Sequence, residues 1–428
     1  MKQLCVISAP PDTFSGYGAR SRDFIKALYE LKKDEWEFKI LPQRWGATPW
    51  GFLEEYKEEW GWIKDMFVYD GKLAKQPDVW FQITIPNEFQ PVGKVNIGVT
   101  AGIETTVCDP AWIDGLNRMD VTFVSSRHAK NVFEASNFDE KHKTTGQVRK
   151  IKLEKPVEVL FEGVDLNKYF FIPKEELPKT ELVKDLDSIK ESFCFLHVGH
   201  WLQGELGEDR KNTGLMLKLF LETFKDKKNP PAFVIKTSHA GASIMDREEV
   251  LKKIDAIRNS VSSKNLPNIY LIHGDIDDKD INALYNHPKV KAFISLTKGE
   301  GYGRPLAEFC VSKKPMIASG WSGHVDFLSP EFSILLPGKI TPVHPASLVP
   351  GIIIKDSSWF SVDPAAASKA MTDVYEDYDK YEVAGKRQGH KIKTEFSYDN
   401  MVLLLGSYLE KYYIKQVEFK LPQLKKIN

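Results

Sequence analysis

Cysteine is scarce: Cys5, Cys108, Cys194 and Cys310 are the four in 428 residues, scattered, with no C-x-x-C pair. That excludes a disulfide-built secreted fold and predicts buried free thiols in a reducing compartment, with the cytoplasm as the default location. Net charge is lacking too. The 59 Lys and Arg balance 59 Asp and Glu, so no global field steers the chain toward nucleic acid or membrane, although local basic patches stay open. No apolar run approaches a membrane-spanning length, and the opening MKQLCVISAPPD is too short for a signal peptide. There is no internal repeat, no low-complexity tract and no G-x-S-x-G nucleophile elbow. Metal-binding patterns are poor. The acid pairs DLD (185–187) and DID (275–277) read as linker and as a helix cap before INALY, and His197 and His200 have the wrong spacing for one strand face. No bound metal and no cofactor are expected.

What is present is a soluble globular composition, 42% hydrophobic and 28% charged, on a chain long enough for two domains. Strand-like and helix-like segments alternate in two series. The first has LCVISA (4–9), a helix over 17–32 with Phe24, Ala27, Leu28 and Leu31 on one face, WEFKIL, VWFQIT, VNIGVT, VTFVS, a helix over 126–136, and VEVLFEGVD (157–165). The second has FCFLHVG (193–199), helix 212–225, AFVIKT (232–237), helix 247–260, IYLIHG and KAFISL, and YDNMVLLLGSYLEKYY reads as a terminal helix. Such alternation predicts α/β architecture, with two Rossmann-like doubly wound domains facing a cleft. The boundaries read as 1–166 for the first domain, 167–192 for a lysine-rich linker and 193–400 for the second domain. Residues 401–428 read as a helix and tail returning to the first domain.

One stretch concentrates chemistry. LTKGEGYGRPLAEFCVSKKPMIASG (296–320) places Glu300 and Glu308 around Gly301-Tyr302-Gly303-Arg304-Pro305-Leu306, between a strand and a helix. Gly299, Gly301 and Gly303 permit positive φ and close approach, Pro305 suits a first helical turn, and Glu308 is expected inside that turn. Free amides there would hold an anion, while carboxylates accept bonds from sugar hydroxyls. Arg210, Lys211 and Asn212, in GEDRKN at the start of helix 212–225, read as a diphosphate clamp or as a solvated charge run. SAPPDTFSGYGARS carries Gly16 and Gly18 after the first strand, as a phosphate or sugar contact or a simple tight turn. A dinucleotide fingerprint is weak there: Ser21 replaces the third glycine, and the second strand ends in Gln43-Arg44 with no acid.

These parts together resemble the retaining, two-Rossmann-domain (GT-B fold) glycosyltransferases, and family 4 among them. GEGYGRPLAE is close to that family's E-G-F-G-L-P-x-x-E, HGDIDDKDINALYNH stands where it has G-x-(x)-x-x-x-x-L-x-x-L-Y, and VEVLFEGVDLNKYF resembles its I-P-N-G-V-D-x-x-x-F. GEDRKN looks like its P-R-K-N, and the stretch from Gly102 to Ser136, with Glu104, resembles a first-domain segment of a subgroup. The likeness runs from Ser8 to about Pro337 and is tightest over 268–320. It implies a UDP- or GDP-linked sugar as donor. Glu308 would bind ribose, Glu300 the donor sugar with the amides of Gly301 to Gly303 beside it, and Arg210 and Lys211 the leaving diphosphate, capped by amides near Leu306. Gly16 and Gly18 would let the first loop approach diphosphate or acceptor. Retention of configuration without a metal would follow. Arg304 stands where a small apolar residue is usual, and His200 where arginine often is. The first could add a phosphate or acceptor contact; the second throws weight onto Arg210 and Lys211.

The acceptor is less legible. Trp45, Trp50, Trp60 and Trp62 gather in 41–67, as sugar platforms or as ordinary packing, and Trp45, Trp50 and Glu104 are the acceptor-side candidates. KHKTTGQVRKIKLEK (141–155) is a basic stretch. The expected partner is a hydroxyl acceptor, either a glycan or cell-surface precursor or, alternatively, hydroxymethylated cytosine in DNA as in phage DNA glycosyltransferases. A non-catalytic nucleotide-sugar-binding protein is the alternative of another class. Oligomeric state is not encoded in any motif found.

Overall fold

A computed structural model of the protein describes residues 2–141, 146–201, 204–239 and 243–414. Residues 142–145 of the basic stretch and 415–428 of the tail lie outside them, as do Leu202 and Gln203. The chain divides into two compact units. One draws on Met1–Gly102, Cys108–Glu162 and Asp399–Asn428, the other on Ile103–Val107 and Gly163–Tyr398.

The first unit is built on β1 (Gln3–Ala9), β2 (Trp36–Pro42), β3 (Val79–Ile83), β4 (Val95–Thr100) and β5 (Val121–Val124). β6 (Phe138–Lys141) and β7 (Val148–Ile151) form a separate antiparallel hairpin, and β8 (Val157–Val159) completes the main sheet in the order β2-β1-β3-β4-β5-β8. All neighbours in that sheet run parallel. Its central strands are apolar along their length because helices cover both faces, so both faces are buried. Helix α1 (Gly16–Lys32) starts where the Ser15 hydroxyl accepts the Gly18 amide, and it buries Phe24, Ala27 and Leu28. Short helices α2 (Phe52–Glu55) and α3 (Lys57–Trp60), then α4 (Pro110–Arg118) and α5 (Arg127–Ala135), fill the connections.

β8 is shorter than the strand expected over 157–165. The carbonyls of Leu160 and Phe161 accept bonds from the buried Arg20 guanidinium, at 2.6 and 3.1 Å, so they leave the sheet ladder.

The second unit begins its helices with α6 (Glu181–Ser188), inside the stretch read as linker. Its sheet contains β9 (Cys194–Val198), β10 (Ala232–Thr237), β11 (Ile269–His273), β12 (Val290–Ser295), β13 (Met316–Ser319) and β14 (Ile334–Leu336), in the order β11-β10-β9-β12-β13-β14, again all parallel. β15 (Gly338–Pro342) and β16 (Ser358–Val362) form an antiparallel pair. The helices are α7 (Thr213–Phe224), α8 (Ile244–Asn259), α9 (Asp278–Asn286), α10 (Arg304–Cys310), α11 (Pro364–Glu376) and α12 (Tyr378–Glu395). Phe195, Phe233 and Ile235 pack with Phe220 of α7, Val250 of α8 and Met371 of α11 on one face. On the other face Phe293 meets Phe309 of α10, ring centroids 5.1 Å apart.

Helix α13 (Tyr398–Leu409) packs in the first unit. Its Tyr408 stacks on Phe123 and donates to the Val159 carbonyl at 3.0 Å. All four cysteines are free and buried. Among the described residues, no helix is long and apolar enough to cross a membrane.

Candidate functional site

In a doubly wound sheet, ligands bind beyond the carboxyl ends of the strands. In the second unit, the segments leaving β9 and β12 meet there. The Lys298 amide donates to the Arg210 carbonyl at 2.8 Å, and the Lys298 ammonium donates to the Gly207 carbonyl while lying 4.4 Å over the Trp359 ring. Asn212, at φ 57°, turns the chain from Lys211 into α7, and the buried Asp209 carboxylate accepts the Thr213 amide at 3.4 Å.

This bracing brings Arg210, Lys211 and Glu300 together. Lys211 Nζ donates to Glu300 Oε1 at 2.6 Å, and Arg210 reaches Glu300 Oε2 at 3.4 Å and the Gly299 carbonyl at 2.6 Å. Glu104 is there too, 3.5 Å from Arg210, on the 103–107 segment that belongs to the second unit. Glu104, read as an acceptor-side candidate, is thus ion-paired with Arg210. Burial opposes ionisation of Glu300, yet the Lys211 and Arg210 charges hold its carboxyl down to about 2. Burial pulls Lys211 below its ordinary value, with Glu300 opposing. Arg210 is pushed up, because the Glu104 and Glu300 charges outweigh its burial. The cluster thus sets two cations and the Glu104 carboxylate around the buried Glu300.

The glycines divide their work differently from the sequence expectation. Gly303 alone of the three takes positive φ, 101°, as the cap residue before α10. Gly299 is required for close approach, since a Cβ there would overlap the Glu104 carbonyl. α10 is a short helix ending at Cys310, and Glu308 lies one step past its first turn, with Arg304 3.6 Å away and the Tyr285 hydroxyl at 3.5 Å. The Leu306 and Ala307 amides turn inward onto the Gly303 carbonyl at 3.0 and 3.2 Å, so they are not the diphosphate cap expected of them. Pro305 has no amide to offer. The Tyr302 ring is buried against Phe327, 5.0 Å between centroids.

Residues without a motif complete the surroundings. Ser322, at φ 81°, accepts the Glu300 amide on its hydroxyl at 2.9 Å. His197 is fully enclosed, bonds the Ile294 carbonyl through Nδ1 at 2.9 Å, and is driven by burial to about 4, so it is neutral. Both follow from tertiary packing, and no spacing in the sequence flags them. Asp277 of DID caps α9 by accepting the Asp280 amide at 2.7 Å, as its pattern suggested, and Asp187 of DLD lies 3.2 Å from His287.

In the first unit, Gly16 and Gly18 open α1. A Cβ at Gly18 would overlap the Thr13 carbonyl, so this glycine serves the loop's own packing, whereas Gly16 faces open space. Tyr17 stacks on Trp45 at 3.9 Å, and Trp50 is exposed next to the same loop through its bridge to Thr13. The expected tryptophan cluster is divided: Trp60 is buried, and Trp62 packs on Tyr29, 5.0 Å between rings.

No protein-family model and no curated sequence matches the chain. Solved structures do. A glycosyltransferase from Rickettsia africae is 13% identical with a TM-score of 0.63, covering 97% of this chain and 99% of its own. Sucrose-phosphate synthase from Thermosynechococcus elongatus is 11% identical with a TM-score of 0.60, covering 97% and 100%. Anabaena HepE in complex with UDP and glucose is 12% identical with a TM-score of 0.58, covering 96% and 100%. At these identities the likeness is one of fold, and the fold is the two-unit α/β architecture of GT-B glycosyltransferases.

Proposed function

We propose that the protein is a cytoplasmic, family 4-like glycosyltransferase that moves a sugar from a UDP- or GDP-linked donor to a hydroxyl acceptor, retaining anomeric configuration and using no bound metal. The observation that carries this reading is the buried Arg210–Glu300–Lys211 cluster beyond the carboxyl ends of β9 and β12. Support also comes from the fold, whose relatives include HepE in complex with UDP-glucose.

As the bond between sugar and diphosphate breaks, negative charge grows on the leaving oxygen and positive charge on the sugar ring. Arg210 and Lys211 stabilise the first, an electrostatic role that dispenses with a cation. Glu300 stabilises the second and holds sugar hydroxyls, with backbone from Gly301 to Gly303 beside it. Glu308 accepts from the ribose hydroxyls, and Arg304 holds its carboxylate in place. The acceptor oxygen bonds the anomeric carbon on the face from which the diphosphate departs, and its proton passes to the departing diphosphate. The Tyr17–Trp45 stack, Trp50 and the open space at Gly16 are proposed to serve a glycan or cell-surface precursor. On the β6–β7 hairpin Arg149 is already matched by Asp114 and Glu140, so that residue lends no support to the modified-DNA alternative.

The test is to incubate the protein with labelled UDP- and GDP-sugars, in EDTA, against glycan acceptors and hydroxymethylated DNA. The expected result is nucleoside diphosphate release that an acceptor accelerates. Donor binding with no turnover under any condition identifies a non-catalytic binder instead. Activity lost in EDTA and restored by Mn²⁺ or Mg²⁺ overturns metal independence.

A further inference from the structure

Arg210 and Lys211 already have carboxylate partners in the structure, whereas Lys236 at the end of β10 has none. Its side chain is half-buried, yet it makes no hydrogen bond or ion pair among the described residues. Strand register fixes where it points. Lys236 pairs with Val198 on β9, two residues after Val234, which pairs with Leu196, which in turn pairs with Phe293 on β12. Parallel partners share a sheet face, and so do residues two apart on a strand, so Lys236 lies on the face that Phe293 presents to α10. It is also one residue from the carboxyl end of β10, the edge that carries Arg210, Lys211 and Glu300.

Asp275 and His200 lie within electrostatic range. Asp275, ahead of α9, opposes the burial that lowers the lysine, but it is beyond ion-pair distance. His200, the residue after Gly199 beyond β9, is held below its ordinary range by partial desolvation and by the Lys211 and Lys236 charges. A neutral imidazole leaves the lysine as the positive group there. An ammonium taken partly out of water without a partner is costly, and its three donors call for an anion from outside the chain. A diphosphate suits it: a compact, doubly charged group that a point-charge lysine binds without demanding fork geometry.

We infer that Lys236 binds the donor's diphosphate from the α10 side of the sheet, as a third cation where the sequence has histidine at 200. The inference rests on the donor reading above. It explains how two cations already neutralised by Glu104 and Glu300 can belong to an anion site: the uncompensated charge comes from the neighbouring strand.

Calorimetric titration of UDP and GDP, with uridine and guanosine as uncharged controls, tests it on wild type, Lys236→Met, Lys236→Arg and Lys211→Ala. Lys236→Met is expected to lose about 10- to 100-fold in nucleoside diphosphate affinity, the range of a charge-assisted bond, with nucleoside affinity unchanged. Its affinity should also fall less steeply with salt, and Lys236→Arg should recover most of the loss. A Lys236→Met protein that binds the diphosphate as wild type does, while Lys211→Ala does not, overturns this inference and leaves the donor reading standing. Equal loss of nucleoside and diphosphate, unrelieved in Lys236→Arg, makes the residue structural and overturns it as well. Wild type with no affinity for either diphosphate overturns both.

Discussion

Replacing Glu300 by glutamine should tighten nucleoside diphosphate binding while slowing turnover. In the resting protein this carboxylate occupies Lys211 at 2.6 Å and Arg210 at 3.4 Å. A diphosphate recruited by those cations arrives beside a negative charge that already holds them. At an effective dielectric of about 20, two unit charges about 5 Å apart repel by roughly 3 kcal/mol. Screening and relaxation take part of that, leaving about 1–2 kcal/mol, or roughly 5- to 30-fold tighter binding. Turnover moves the other way, because the carboxylate meets a sugar ring that gains positive charge only as the bond breaks. A contact made chiefly in the transition state is worth about 2–4 kcal/mol, so kcat should fall roughly 30- to 1,000-fold. Stability should fall as well. Breaking a buried pair typically costs about 3–5 kcal/mol, but Arg210 keeps Glu104 and the Gly299 carbonyl, so roughly 2–3 kcal/mol is expected. Calorimetry gives the affinity, steady-state kinetics the rate, and denaturant unfolding the stability. Weaker diphosphate binding by a folded Glu300→Gln protein, or an unchanged kcat, refutes the reasoning.

Lys211→Ala should weaken nucleoside diphosphate binding by about 1.5–3 kcal/mol by titration, because it removes the cation closest to Glu300. Glu308→Gln should mainly raise the donor KM and leave kcat near wild type, since ribose contacts are the same in ground and transition states; loss of kcat at saturating donor counts against that assignment. Gly299→Ala should cost more stability than a usual surface change, because its methyl group meets the Glu104 backbone. Thermal unfolding and donor affinity should both fall, and a protein matching wild type in both contradicts the close approach.

The legible parts of the fold were those where local pattern and tertiary demand agree. β1, β4 and β10 are short β-branched runs buried along nearly their whole length, and α1 carries its apolar stripe at helical spacing. β8 failed that test from within: Leu160 and Phe161 look like strand, but Arg20, 140 residues away in sequence, takes their carbonyls. Such competition is invisible in a local window. In the site, Glu300 and the Arg210–Lys211 pair announced themselves through glycine spacing and a charge run. Glu104 read as an acceptor-side residue of the first domain because nothing in Gly-Ile-Glu-Thr-Thr says which sheet it joins. Lys236 was hidden by its setting, a lysine near the end of an otherwise apolar strand, and only the lack of a partner singles it out.

Glu104 reaches its place because a five-residue excursion, Ile103–Val107, leaves the first unit for the second. There Thr106 donates its amide to the Ser358 carbonyl at 2.9 Å and accepts the Ser358 amide on its hydroxyl at 3.0 Å, across 252 residues of sequence. The first unit has a debt of the same kind, since Tyr408 meets Val159 across 249 residues. On a ribosome, the earlier half therefore cannot close as it emerges, because it waits for α13, while the later one must recruit a segment made long before it. Loop closure over such spans slows folding and keeps unpaired sheet exposed meanwhile. A gene cut between the units at residue 162 would give a second half without Glu104 and an edge of β16 without Thr106. Splitting the protein for study thus requires carrying 103–107 across, for instance as a separately supplied peptide.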